Sequence, residues 1–323
     1  MNETGALVYA YRLDGRGGGV SVDWAELMST ADSDGLWVHL DRSHHETREW
    51  LSRQAALDPL IVEALLEEET RPRCEAFEDG LLIILRGVNL NPGADPDDMI
   101  AIRIWIDGNR VISTRARRLM AAHDTRERLE AGRGPTDPAE LLVSLAGNLI
   151  QRMGPVIDGL EENVDTLEEE VMLHGSRSIR GRLIEMRQQT IGLRRYLSPQ
   201  REALGRLLNE DRSWLRARDK SRLREIADRT LRYIDDLDNV RERAAIVQDE
   251  LMSRLSEQMN RTMYVLTVVA AVMLPLGFIT GLLGINVGGI PGGESPFGFA
   301  VVCGALVVIV VVQVWIFRRL RWI

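Results

Sequence analysis

The chain has 323 residues, 45% of them hydrophobic and 27% charged, with a formal charge of −8 at pH 7. That balance excludes a disordered polymer and allows two domains by length, and the acidic excess argues against nucleic acid as a partner. The cysteines, Cys74 and Cys303, fall in chemically different parts of the chain, so no disulfide or thiolate cluster is expected.

Residues 1–135 read as a cytoplasmic α/β domain with a mixed sheet. "GALVYAYRL" (5–13), "GLWVHLD" (35–41), "GLLIILRGVNL" (80–90), "MIAIRIWID" (99–107) and "NRVISTR" (109–115) are β-rich and bounded by Gly, Asp or Asn, as strands should be. "ETREWLSRQAAL" (46–57) and "PLIVEALLEEE" (59–69) have helical period, with Ser43 and Asp58 as expected N-caps and Pro59 in a first helical position. Within "DRSHHETREW", Asp41, His44, His45, Glu46 and Glu49 offer zinc-ligand chemistry, and His45 and Glu49 share a helix face. The reading favoured here is plainer: a capped helix whose histidines lie near its exposed start. His39, in an apolar strand, is expected to be packed and hydrogen-bonded, and His174 to be a turn residue.

After "AGRGPTDP" (131–138) the pattern becomes helical, over residues 136–262. Leu145, Leu149, Met153, Val156, Leu160, Val164, Leu167 and Val171 recur at steps of three and four, which predicts one long amphipathic helix from Ala139 to Val171. "HGS" at 174–176 marks a turn, and Ile179, Leu183, Met186, Leu193 and Leu197 carry the return arm of a helical hairpin. A third helix is expected to begin after Ser198-Pro199 or near Trp214. Its seam, Leu223, Ile226, Thr230, Tyr233, Leu237, Val240, Ala244, Val247 and Leu251, is that of a coiled-coil stalk. Nothing interrupts it before the apolar segment that follows, so a single helix of ~100 Å is predicted from Arg216 to Gly284. Such a seam needs partners, supplied by the hairpin and by further copies of the chain. The acidic run Asp158, Glu161, Glu162, Asp165, Glu168, Glu169 and Glu170 reads as a solvated helix face, with divalent-cation binding as the sharper alternative; Asp235, Asp236, Asp238 and Asp249 receive the same reading.

Residues 263–323 hold two runs without Asp, Glu, Lys, Arg or His, 263–284 and 298–317, each long enough to cross a hydrocarbon core of ~30 Å as a helix. No basic-then-apolar leader stands at the start. Arg254 and Arg261 precede the first run, and Arg318, Arg319 and Arg321 follow the second, whereas the connecting loop 285–297 has no Lys or Arg. Both termini are therefore expected in the cytoplasm, with the loop outside. Two spans enclose nothing, so a conduit must lie on a symmetry axis lined by one helix per copy. Continuing the three-and-four rhythm puts Asn260, Met263, Leu266, Ala270, Leu274, Gly277, Gly281 and Gly284 on one face of the first span. The competing reading is that Gly277 and Gly281 only pack the two spans together. Pro275 is expected to kink the helix and free a carbonyl. With no Asp, Glu, Lys, Arg or His in either span, a transported ion must keep much of its water, and rings of Leu266 and Leu274 would close by dewetting. At the outer mouth, helix-end carbonyls carry partial negative charge, the amide of Asn286 accepts from a hydrated cation, and Glu294 raises the local cation concentration.

The stalk running into the first of two C-terminal spans, Pro275, and "GIN" at 284–286 resemble the CorA superfamily of divalent metal ion transporters, whose usual signature is Gly-Met-Asn. The Ile at 285 and the following "VGGIPGG" resemble its zinc-transporting ZntB branch, and "EEETRPRCEAFEDGLLIILRGVNLN" at 67–91 extends the likeness to the N-terminal half. The resemblance implies a funnel-shaped homopentamer in the cell inner (plasma) membrane. It implies Zn2+, and other divalent cations, as cargo. Gly284, Ile285 and Asn286 would be the outer selectivity site, Asn260, Met263, Leu266, Leu274 and Gly277 would line the channel, and Asp249 would lie near a position between subunits. Magnesium or cobalt transport is the alternative within the superfamily. From another class, a membrane-anchored coiled-coil sensor or scaffold would predict a dimer. No phosphate-cradling loop with Lys, nucleophile elbow or Cys-x-x-Cys occurs, so neither an enzyme nor a cofactor is expected.

Overall fold

The structure is a computed structural model that describes residues 5–29, 34–173, 177–285 and 296–319. The chain divides into two compact units, Met1–Gln248 and Asp249–Ile323.

The first unit is built on a seven-stranded sheet. In chain order its strands are β1 (Leu7–Leu13), β2 (Gly19–Ser21), β3 (Leu36–Asp41), β4 (Arg73–Ala76), β5 (Leu81–Gly87), β6 (Ile100–Ile106) and β7 (Arg110–Arg115), arranged β2-β1-β3-β7-β6-β5-β4. Only the β3–β7 pair is parallel; the others are antiparallel. Alternation along each strand sends two apolar sets to opposite faces. One face packs under α1 (Trp24–Ser29), α2 (His45–Arg53) and α3 (Pro59–Leu66), around Leu27, Trp50, Leu51, Leu65 and Trp105. The other packs under α4 (Met120–Glu130), α5 (Pro138–Gln151) and parts of α7 (Arg177–Asn209) and α8 (Ala217–Leu283), around Ile83, Ile102, Ile104, Leu145 and Leu204.

Asp58 caps α3 as expected, accepting from the Leu60 N–H at 2.8 Å with Pro59 behind it. Ser43 does not cap α2: its N–H and hydroxyl both turn back to Asp41 Oδ1, and the cap residue is His44, without a side-chain bond. The stretch after α3 is held by arginines. The carbonyls of Leu66, Glu67, Glu68 and Thr70 accept from Arg42, Arg103 and Arg86, and that of Leu65 from the Thr114 hydroxyl. Those of Leu65, Leu66 and Glu67 are orphan carbonyls of the α3 end, and guanidinium donors there also suit the helix dipole.

The helix predicted from Ala139 to Val171 is two helices, α5 and α6 (Gly154–Leu173). Pro155 explains the break, because its ring would clash with the carbonyl of Gln151, where α5 ends. Ile157, and not Val156, is the buried residue in the first turn of α6. Pro199, in contrast, lies inside α7, so the third helix starts at the second expected place, beyond Trp214. The turn proposed at 174–176, with His174, lies outside the described residues.

α6, α7 and the first part of α8 form a three-helix bundle. Thr230, Leu237, Val240, Ala244 and Val247 of the seam are buried, as are Leu160, Val164 and Leu167 of α6 and Leu183, Met186 and Leu193 of α7, whereas Leu223 joins the core on the sheet. Cross-helix pairs fix the register: Arg243 grips Glu168 (2.8 Å) and Asp165 of α6, and Arg194 of α7 meets Asp238 of α8 at 2.8 Å. The second unit holds the remainder of α8 and α9 (Gly298–Arg319), the two helices long and apolar enough to cross a membrane.

Candidate functional site

The apolar part of α8 is continuous across Pro275, whose missing N–H leaves the Ala271 carbonyl without its usual donor. The hydroxyls inside this part stay within the helix: Thr267 donates to the Met263 carbonyl at 2.8 Å and Thr280 to that of Leu276 at 2.9 Å. Neither threonine hydroxyl is thereby left bare in an apolar surrounding. The helix ends at Leu283, and the Gly284 N–H turns back to the carbonyls of Thr280 (3.0 Å) and Gly281 (3.2 Å). Carbonyls left at such an end carry partial negative charge.

Val268, Ala271, Val272, Leu276 and Ile279 of α8 are half-buried. At 3.6 residues per turn they share one side of the helix. Asn260, Met263, Leu266, Ala270, Leu274, Gly277 and Gly281 lie on the opposite side and are exposed, Leu266 at 69% and Leu274 at 72%. A Cβ added at Gly277 or Gly281 would meet nothing within 4 Å. Within one chain these glycines therefore do not make a close helix contact, which weighs against the packing-only reading of them. Gly284 and Ile285 are exposed beyond the helix end, while Asn286 and Glu294 lie outside the described residues.

The other candidates are scattered. His44 and Glu46 stand 4.0 Å apart, His45 is exposed, and among the described residues no group of three or more His, Cys, Asp or Glu could hold a metal ion. Asp249 is exposed at the start of the second unit. Of the acidic run, Asp165, Glu168 and Glu170 pair with arginines. Glu161 does not share that compensation: partial burial first, then the Asp236 and Asp158 carboxylates, raise its pKa, and Asp236 is raised likewise by burial and by Asp235 and Asp158. The cross-helix clamp of Arg243 was not visible in sequence, because its partners stand 75 and 78 positions away with no local signal.

Comparison with known proteins places this architecture. A family model described as CorA-like Mg2+ transporter protein matches residues 32–319. The chain is 41% identical to the divalent cation transporter CmaX of Pseudomonas aeruginosa, over 98% of this chain and 97% of that protein. It is 38% identical to the zinc transport protein ZntB of Pectobacterium carotovorum subsp. carotovorum, over 100% of this chain and 98% of that one. The full-length CmaX structure superposes with a TM-score of 0.83, covering 98% of both chains. The CorA magnesium transporter of Methanocaldococcus jannaschii shares the fold at a TM-score of 0.81 and 21% identity, again over 98% of both. A stalk-and-two-span chain that matches this family along nearly its whole length belongs to the CorA family of membrane divalent cation transporters, which are not enzymes.

Proposed function

We propose that the chain moves Zn2+ through an axial pore formed by five copies. The first span of each copy lines the pore with Asn260, Met263, Leu266, Ala270, Leu274, Gly277 and Gly281. Gly284, Ile285 and Asn286 form the outer selectivity site, and Glu294 draws cations toward it. The division of labour follows the sequence: 1–135 and 136–262 make the cytoplasmic part, spans 263–284 and 298–317 cross the inner membrane, and loop 285–297 lies outside. Both termini face the cytoplasm, in keeping with the arginines at 254, 261, 318 and 319.

The observation that carries this reading is the exposed side of α8. It lies opposite the half-buried side, has open space at Gly277 and Gly281, and bears no ionisable group from Met263 to Gly281. Such a surface passes an ion that retains its hydration shell, with leucine rings able to close by dewetting. Zinc as cargo is supported by the identity to proteins named zinc transport protein ZntB. Magnesium or cobalt is the second reading, favoured by the donor chemistry: carbonyl and amide oxygens are hard ligands, whereas zinc commonly takes imidazole or thiolate. Asp249 would complete a cation's coordination only with groups from a neighbouring copy.

Ion flux into vesicles reconstituted with the full chain tests the reading. Zinc should enter, and Asn286→Ala should slow it at least about tenfold, the loss of one hydrogen bond to a charged species. Magnesium movement without zinc movement would replace the zinc assignment by the second reading.

A further inference from the structure

The cations that flank the two spans have no role in the pathway described above. Arg261 stands just before the first span and Arg318 and Arg319 at the end of α9, so in a two-span hairpin all three meet the same leaflet. Rotation along α8 puts Arg261 on the side of Val268, Val272 and Ile279, away from the face that bears Met263 and Leu266. Along α9 the half-buried side carries Val302, Leu306, Ile309, Gln313 and Phe317. Trp315 lies opposite that side, 58% exposed, with Arg318 and Arg319 to either side of it. The Arg319 guanidinium sits over the Trp315 indole, 5.3 Å from the ring centroid. Among the described residues no carboxylate forms an ion pair with Arg261, Arg318 or Arg319, whereas the neighbouring Arg254 is taken by Glu250 at 2.6 Å.

Basic residues at the mouth of a cation pathway would oppose the cargo. Arg318 and Arg319 are turned away from the half-buried side of α9, next to an indole suited to the headgroup level. We propose that Arg318, Arg319 and Trp315 of α9 bind the headgroup of an anionic phospholipid. The lipid phosphate accepts charge-assisted hydrogen bonds from the guanidiniums, the indole holds Arg319 at the headgroup depth, and the bound anion neutralises positive charge close to the ion path. General attraction does not account for such binding, because the chain as a whole carries −8. The inference is independent of which divalent cation is carried.

Purified full-length protein, stripped of lipid in neutral detergent, is titrated with phosphatidylglycerol or phosphatidylcholine, with Tm and retained lipid (by native mass spectrometry) as readouts. Phosphatidylglycerol should raise Tm and remain bound, and phosphatidylcholine should do neither. Arg318→Gln with Arg319→Gln should weaken the half-saturating concentration by about 30-fold, and Arg254→Gln should leave it unchanged. If the double variant does not fold, Arg319→Gln alone gives the same test with a smaller loss, about fivefold. Equal effects of the two lipids on the wild type, or variants that bind phosphatidylglycerol like the wild type, would overturn the proposal.

Discussion

His39 sits fully buried in β3, its ring stacked on Tyr9 with centroids 4.8 Å apart. Ser113 explains its tautomer. The Ser113 hydroxyl donates to the Val38 carbonyl (3.3 Å) and accepts from the Trp37 indole (3.0 Å), so the remaining contact, to His39 Nδ1 at 2.8 Å, has the imidazole as donor. Nε2 then carries a lone pair without a hydrogen-bond partner. A second proton there would be buried without an acceptor, and desolvation, followed by the nearby Arg115, holds the pKa well below 6.5. In the unfolded chain the same imidazole titrates near ~6.5. The contribution to folding is therefore complete above that pH and is lost as pH falls toward the folded-state pKa, at up to ~1.4 kcal/mol per pH unit. Thermal unfolding of the full chain between pH 7.5 and 5 should show this slope, and His39→Asn, which keeps a donor for Ser113, should remove one proton's share of it; an unchanged slope would refute the assignment. Arg103 makes a similar point about legibility. Strand alternation put it on a face of "MIAIRIWID" but could not show that the face is covered. It is 2% exposed, its pKa pushed down to about 10 by burial and then by Arg42 and Arg86, and it binds the Glu67 carbonyl at 2.5 Å. Arg103→Met should cost about 3 kcal/mol, the loss of charged hydrogen bonds to the Glu67 and Glu68 carbonyls, measurable in the same unfolding experiment.

The elements that could be read from the sequence were those with a long, strict period or a cap. α8 was predicted within a residue of each end because its seam and the apolar run after it share one rhythm, and α3 because Asp58-Pro59 opens it. The short elements left no such trace. β2 has three residues and β4 four, both edge strands, and α4 shows a face made largely of alanine and threonine. Proline was decided by surroundings: Pro155 separates α5 from α6, whereas Pro199 is carried within α7. There Leu197, Ala203 and Leu204 are buried, and the Gln200 side chain accepts from the Arg86 N–H at 2.6 Å. Tertiary packing outweighs the ~3 kcal/mol that an interior proline costs. The exposed face of α8 permits a test that separates folding from transport. Gly281→Leu adds bulk where nothing stands within 4 Å in the single chain, and leucine is a better helix former than glycine by roughly 0.8 kcal/mol. The variant should fold and insert normally while ion flux in vesicles falls at least about tenfold, because each copy places its new side chain in the same narrow ring. Wild-type flux in a fully inserted variant would show that this face does not line the pathway.

At the scale of the whole molecule the proposed five copies agree with what two spans per chain can enclose. Helices of ~10 Å diameter packed side by side in a ring leave almost no axial opening for two or three copies, and one of about 2 Å radius for four. Five leave about 3.5 Å, enough for a cation that keeps part of its water, as a lining without ionisable side chains requires. In the proposed pore, glycines at 277 and 281 would widen the opening at those levels. A coiled-coil sensor needs no axial opening and would be satisfied by two copies, so stoichiometry separates the two readings without a transport assay. Light scattering in detergent, corrected for the micelle, should give about 182 kDa of protein, five times the 36.4 kDa chain. A stable species near twice the chain mass would leave the exposed face of α8 without an aqueous axis to line, and the placement of Gly284, Ile285 and Asn286 at an ion's entrance would fall with it.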